Sequence, residues 1–335
     1  IISQANHLKR NIKFEKNYSN RIEILTALLL TGLVFKEYEE NYEISIKELE
    51  KFVKVFFDQD GFPLSRNPSD LVFISKYLIL CQRCIKDAQK YLPEFLETII
   101  KKNLSCIKKI LTLDDRMPLF NGSIEEDLKK FCENVNEIEI EKKDKKNVIG
   151  GIQILKYKNC QIFFDIGEPP DKSLSKSYQS GPLSFEYHVD GRKIITNCGF
   201  GCNISPKAEL LSRLTSAQST LTINDTSVTK FERSKLINRI FGNSIKNSFK
   251  ISQLISDENK DKIESEATHD GYQKEFGCLY KRRLLIDKSK NNLKGFDEIV
   301  KKKDNKPINY CLRFHLYPGL TAVKTMSGSG VLIQL

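Results

Sequence analysis

The sequence predicts a multi-domain α + β protein, with helices first and an antiparallel β-sandwich after them. Three observations carry this. Apolar residues recur at helical spacing from Ile2 to about Leu113; beyond Val148 they recur every second residue, with turn residues at short intervals; and between lies Glu141–Asn147 (EKKDKKN), a charged run with no apolar face. At 335 residues the chain is also too long for one compact core. The expected division is 1–123 helical, 124–147 a linker with a short helix, and 148–335 the sandwich.

In order, the spacing predicts helices over Gln4–Phe14, Asn20–Phe35, Ile44–Phe57, Ser69–Lys90 and Pro93–Leu111, and a short one near Ile124–Asn134. Asn20 and Ser69 stand where N-caps are wanted, and Pro93 fits a first-turn proline. Strands follow at Gly151–Lys156, Gln161–Ile166, Thr220–Ile223, Ile263–Thr268, Cys278–Ile286, Tyr310–Leu316 and Leu320–Met326. Leu183–Val189, Asp190-Gly191 and Lys193–Thr196 form the clearest hairpin, because Asp-Gly supplies the positive φ angles of a tight turn. Ser184, Glu186 and His188 share one face of it. Short strands without intervening helices favour a sandwich over a βαβ sheet.

Hydrophobic residues make up 40% of the chain and include 20 Phe, enough to exclude a disordered protein. The longest apolar run, Leu25 to Phe35, is too short to cross a bilayer as a helix, and no membrane insertion is expected. Lys and Arg total 54 against 43 Asp and Glu, a formal charge of +11, so the surface should attract a polyanion. Nine cysteines (Cys81, Cys84, Cys106, Cys132, Cys160, Cys198, Cys202, Cys278, Cys311) form no regular framework, which predicts free thiols and leans towards a reducing compartment. Ile1 is not an initiator Met, so a signal peptide upstream stays open.

Cys81 and Cys84 form a CxxC inside a predicted helix without a partner pair at zinc-finger spacing, and Cys198-Gly199-Phe200-Gly201-Cys202 reads as loop geometry. Lys281-Arg282-Arg283 and Lys301-Lys302-Lys303 lack aromatic interleaving, so no nucleic-acid partner is expected. No P-loop, dinucleotide fingerprint or HExxH motif occurs. Of the four histidines, His7, His188, His269 and His315, three fall in the β half near Tyr and Arg: His269-Asp270-Gly271-Tyr272 and Arg313-Phe314-His315-Leu316-Tyr317. Those residue types suit proton abstraction beside a carboxylate, which needs a base, an acid and a charge-neutralising group.

The order of segments resembles the heparinase II/III family of polysaccharide lyases. The resemblance runs through Asp60-Gly61, Ser65-Arg66-Asn67-Pro68, Leu119-Phe120-Asn121-Gly122, Asp165-Ile166-Gly167-Glu168-Pro169-Pro170, Leu183-Ser184-Phe185-Glu186, Asn197-Cys198-Gly199, Ala217-Gln218-Ser219-Thr220-Leu221 and His269–Tyr272. It implies an incomplete α/α toroid followed by the sandwich, a cleft between them, and β-elimination on a uronate polysaccharide. In that chemistry a polar or cationic group offsets the C5 carboxylate, and Tyr or His removes the C5 proton and protonates the leaving O4 oxygen. The acidic polysaccharide would then be the polyanion that the charge calls for. The resemblance also favours the periplasm or cell envelope, against the cytoplasm favoured by the cysteines.

Residue by residue, the family's Asn-His best matches Asn20-Arg21, and its catalytic Tyr falls near Asp70, which cannot take the same role. Its His-x-His-x-Asp matches Ser177, Gln179 and Gly181. Gln179, Asn197 and Gln218 occupy positions that bind zinc in some members; neutral amides suit zinc poorly, so no metal and no other cofactor is expected. The candidate catalytic set is Asn20, Arg21, Arg66, Tyr178, His269 and Tyr272, with Tyr178 beside the vacated His position as replacement acid or base. Asn67, His188, Arg282 and His315 are candidate substrate contacts, His188 at a rim. A structural hairpin role for His269 and Tyr272, packing of His315 in the sandwich, and a glycan-binding protein that has lost the chemistry are the alternatives.

Overall fold

The amphipathic spacing of the first part produces α1 (Ile2–Asn11), α2 (Tyr18–Val34), α3 (Glu39–Phe56), α4 (Pro68–Asp87), α5 (Glu94–Ile110) and α6 (Lys129–Val135). The computed structural model describes residues 1–136, 138, 147–232, 243–301 and 307–334. α3 starts five residues before the expected Ile44 and α6 five after the expected Ile124; the starts of α2 and α4 differ by two residues or fewer, for a capping reason. Asn17, not Asn20, caps α2 by accepting the Ser19 N–H at 3.0 Å, and Asn67, not Ser69, caps α4 by the same contact to Ser69 at 2.9 Å. Pro68, lacking an N–H, then fits the first turn of α4. Pro93 sits just before α5, its carbonyl accepting from the Leu96 and Glu97 amides.

Ile22, Leu25, Leu28 and Leu29 of α2 are fully buried, as are Leu49 of α3 and Leu71 and Leu78 of α4. At Gly32 the helices α2 and α3 meet so closely that a Cβ would lie 2.3 Å from the Tyr42 nitrogen. No described helix is long and apolar enough to cross a membrane.

The period-two part forms two principal sheets. The first orders β1 (Val148–Ile149), β2 (Ile152–Tyr157), β3 (Cys160–Asp165), β4 (Phe185–Val189), β5 (Arg192–Thr196) and, beyond β5, β12 (His315–Leu316). The second orders β10 (Asn292–Lys301), β9 (Cys278–Asp287), β8 (Lys262–His269) and β7 (Ile251–Glu258). β6 (Leu221–Ile223) pairs with β11 (Tyr310–Leu312), and β13 (Thr321–Lys324) with β14 (Val331–Gln334). The described pairings are antiparallel. Asp190 (φ 52°) and Gly191 (φ 74°) make the tight β4–β5 turn. α7 (Pro206–Ser212) and α8 (Gln273–Phe276) are short insertions.

Both sheets feed one core: Ile162, Phe164 and Phe185 from the first, Ile263, Ala267, Tyr280 and Leu284 from the second. Gln153 ties them by donating to Ser256 at 2.8 Å and accepting from Ser265. This is the α + β fold with a sandwich that the periodicity predicts. Four strands fall outside the expected set: β1, β7, β10 and β14. β10 is exposed along most of its length and carries little apolar alternation, so its pairing with β9 in full register, Asn292↔Asp287 to Lys301↔Cys278, is what makes it a strand. Tyr310–Leu316 splits into β11 and β12, which join different sheets.

The chain divides into two units, Ile1–Ile110 with Lys129–Lys145, and Leu111–Leu128 with Lys146–Leu335. The segment Leu111–Leu128, most of which the expected division assigns to the helical part, groups with the sheets. Sheet side chains hold its backbone: Gln161 donates to Leu111 O (2.9 Å), Glu186 accepts from Leu119 N (3.0 Å) and Gln179 accepts from Gly122 N (3.0 Å). Most of the charged run Glu141–Asn147, with Lys302 and Lys303 of the second basic cluster, lies outside the described residues. All nine cysteines are free.

Candidate functional site

Four candidate residues belong to the helical unit. Asn20 is exposed, its amide donating to Glu15 at 3.1 Å, and Arg21 pairs with Glu48 at 2.9 Å. Arg66 is buried and left-handed, with φ 62°, and Asn67 beside it is buried as the cap of α4. Asp70, in the first turn of α4, accepts from Ser65 Oγ at 2.7 Å, and burial pushes its carboxyl up to about 6.

In the sheet unit the polar face of β4 and β5 is organised by Glu186, which is fully buried. Its carboxylate accepts from Leu119 N (3.0 Å) and Thr196 Oγ1 (2.8 Å), meets His188 Nε2 at 3.1 Å and lies 3.9 Å from Lys193 Nζ. Burial alone would raise its pKa, but the Lys193 charge and the His188 and Thr196 hydrogen bonds override this and hold it below the usual carboxylate range. His188, expected at a rim, is fully buried. Lys193 reaches outward to Glu125 at 3.2 Å; Glu125 also meets Arg116 at 3.4 Å and accepts from the Tyr317 hydroxyl at 3.1 Å.

Gln179, Asn197 and Gln218 lie in the same unit, and their donor set does not fit zinc. Gln179 Nε2 donates to Cys198 O (3.0 Å) and Ser212 O (2.8 Å), its Oε1 accepts from Gly122 N, and Gln218 Nε2 donates to the same Ser212 O at 2.8 Å. Asn197 Oδ1 accepts from Ser219 N at 2.9 Å. The amides are tied to backbone groups, in a pattern that needs N–H donors where a metal needs lone pairs. Among the described residues no group of three or more His, Cys, Asp or Glu could hold a metal ion.

The other sheet-unit candidates lie apart from this face. Tyr178 is fully buried against Phe231 and Ile245, its carbonyl accepting from the buried Arg213 at 2.8 Å. His269 and Tyr272 are neighbours, ring centroids 5.5 Å apart, inside the sandwich core. His269 Nδ1 accepts from Gly271 N at 3.0 Å, and burial drives its pKa down to about 3. Tyr272 donates to Leu221 O at 3.0 Å, and burial raises its pKa far above the ordinary phenol value. Arg282 is buried, bonded to Asp297 (2.7 Å), Leu183 O and Ser219 O (2.8 Å each). His315 is half-buried at the β12 edge, with Nε2 3.1 Å from Ser216 O.

Proton transfer to a polymer needs a group that the polymer can touch. Tyr178, His269 and Tyr272 have at most 1% of their surface exposed. Glu125, Arg116 and Tyr317 reach solvent around this polar face; Tyr317 ends the Arg313–Tyr317 segment noted in the sequence, whereas Glu125 and Arg116 were not singled out there. Their signal is tertiary: Glu125 and Tyr317 are 192 residues apart.

The sequence matches the family described as heparinase II/III-like, C-terminal, over residues 141–335. Comparison with curated proteins finds no match. Among solved structures the chain is similar to a heparinase III with methylated lysines (13% identity, TM-score 0.75, covering 99% of this chain and 52% of that one). It is also similar to a second heparinase III (15%, 0.72, 98% and 54%) and to a heparan sulfate lyase from Pedobacter heparinus (16%, 0.71, 98% and 52%). The chain thus spans about half the length of these structures.

Proposed function

Because this chain belongs to the heparinase II/III-like family, we propose that it cleaves a uronate-containing acidic polysaccharide by β-elimination. The chain is polysaccharide lyase-like, and the observation that carries the reading is the match of nearly its whole length to heparinase III and heparan sulfate lyase folds. The formal charge of +11 supports a polyanionic substrate. In this reading no metal takes part; Asn20 and Arg21 of the helical unit and His315 of the sheet unit are separate candidate substrate contacts, whereas Arg66 and Asn67 are buried and hold structure. Tyr178, His269 and Tyr272 hold structure, because groups sealed in a core cannot reach a glycosidic oxygen. The test is incubation of purified protein with heparan sulfate, hyaluronan and alginate. New ultraviolet-absorbing unsaturated ends are expected, and their absence on every polymer sinks the lyase reading.

A second reading has an observation of its own. Burial of the three expected proton-transfer residues, with amides at the zinc positions, favours a protein that holds the glycan without turning it over. Retention on a heparan sulfate column, reversed by moderate salt, without any unsaturated product would select it.

A further inference from the structure

We propose that Glu125 and Tyr317 form the acid–base pair of this protein, with the partly exposed Arg116 as the cation that offsets the uronate carboxylate and the buried Lys193 as a positioning residue for Glu125. The inference rests on the lyase reading and supplies the proton-transfer groups that it lacks. Five features of the sheet unit carry it. The Tyr317 hydroxyl donates to one Glu125 oxygen at 3.1 Å. The other oxygen meets Lys193 at 3.2 Å and Arg116 at 3.4 Å, and Arg116 also meets Asp114 at 3.2 Å. Lys193 is buried and pinned between Glu125 and Glu186, which fixes the pair's cationic side on β5, while Tyr317 N donates to Ile194 O on the same strand at 3.1 Å. The Glu125 side chain is 29% exposed and Tyr317 is half-buried, so a polymer can touch both. Burial, then the Glu125 charge, raises the Tyr317 pKa, which keeps the phenol protonated at neutral pH.

Two other phenol–carboxylate pairs lack this combination of exposure and cations. Tyr280–Asp297–Arg282 combines the same three kinds of group, a phenol, a carboxylate and a guanidinium, but Tyr280 and Arg282 are sealed in the core. Tyr77 donates to Glu23 at 3.0 Å on the surface of the helical unit, and among the described residues no cation pairs with Glu23.

The step balances within the pair. The Glu125 carboxylate takes the C5 proton, and the C5–H electrons become the C4=C5 double bond. The C4–O4 bond breaks with its electrons on O4, which takes the Tyr317 proton. The resulting phenolate faces a protonated Glu125, and a single proton transfer between them restores both. As Glu125 becomes neutral, Arg116 loses an anionic partner when the substrate's carboxylate acquires enolate character, while Lys193 keeps Glu186. A base and an acid this close work on one face of the sugar, so the pair suits uronates whose C5 hydrogen and O4 lie on the same side, glucuronate and mannuronate, and not guluronate.

The test compares wild type, Tyr317→Phe, Glu125→Gln and, as a control, Tyr77→Phe on heparan sulfate, hyaluronan, polymannuronate and polyguluronate. Melting temperatures report folding. Each pair variant should lose about 10²–10⁴-fold in the rate of unsaturated-end formation at an unchanged melting temperature, the control should match wild type, and polyguluronate should resist cleavage. Wild-type cleavage with either pair variant within a few-fold of it overturns the pair while the lyase reading stands, as does cleavage of polyguluronate alone. No cleavage of any polymer by wild type overturns both. Should one pair variant fail to fold, the other decides.

Discussion

The two fully buried histidines of the sheet unit stand in opposite environments. His188 lies on the polar face of β4, bonded to the ionised Glu186 and close to Lys193, in a network that leads outward to Glu125 and Tyr317. His269 lies in an aromatic nest, 5.6 Å from Phe249, 5.5 Å from Tyr272 and 5.4 Å from Tyr280, and its one hydrogen bond accepts from its own turn. The same side chain at the same burial thus serves a charged network in one place and a turn in the other. The difference teaches that a buried histidine's role is read from its partners, since a nest without a charge or a solvent path offers no route for a proton.

Breaking the charged side should cost most. Glu186→Ala removes the acceptor for Leu119 and Thr196 and leaves Lys193 and His188 without their buried anion, so a loss of about 3–5 kcal/mol is expected in urea unfolding. A loss under 1 kcal/mol would mean that the network does not hold the 111–128 segment.

The aromatic side should break with acid. His269 is neutral when folded, with its pKa near 3, and takes a proton on unfolding at about 6.5. The unfolded state therefore binds more protons between those values, and stability falls with falling pH by about 1.4 kcal/mol per unit at most. His269→Leu should flatten that part of the pH dependence; an unchanged slope would move its origin elsewhere. Below pH 3 the folded protein also protonates, and the decline from this group ends.

The amide cluster sharpens the contrast from a third position. Gln179→Leu leaves Gly122 N without its bond and takes one from each of Cys198 O and Ser212 O, for an expected loss of about 1–3 kcal/mol. Treatment with a chelator should leave the wild-type melting temperature unchanged. A drop on chelation would show that a metal does contribute.

How much of this was legible in the sequence follows from how local each signal is. The Asp190-Gly191 hairpin and the β9 alternation are set by neighbouring residues, and both were readable. The polar face was half readable: Ser184, Glu186 and His188 fall on one side of a strand, but nothing local says that Leu119 or Lys193 meets Glu186. β10, with its charges and Gly295, hides its strand character because pairing along an edge needs no apolar face. Asn20 was the wrong cap because Asn17, three residues earlier, offers the same carbonyl, and a sequence cannot rank the two without knowing where the preceding chain runs.

That rivalry makes the smallest prediction. Asn67 Oδ1 caps α4 from a buried position beside Pro68, whereas Asn20 is exposed and bonds only the Glu15 carboxylate. Asn67→Ala should therefore cost about 1 kcal/mol in thermal unfolding, and Asn20→Ala stay within about 0.5 kcal/mol of wild type. The same pair also separates structure from function in the helical unit. If Asn20 offsets a uronate carboxylate, Asn20→Ala lowers the rate of unsaturated-end formation without moving the melting temperature. A rate and melting temperature both equal to wild type would remove Asn20 from catalysis.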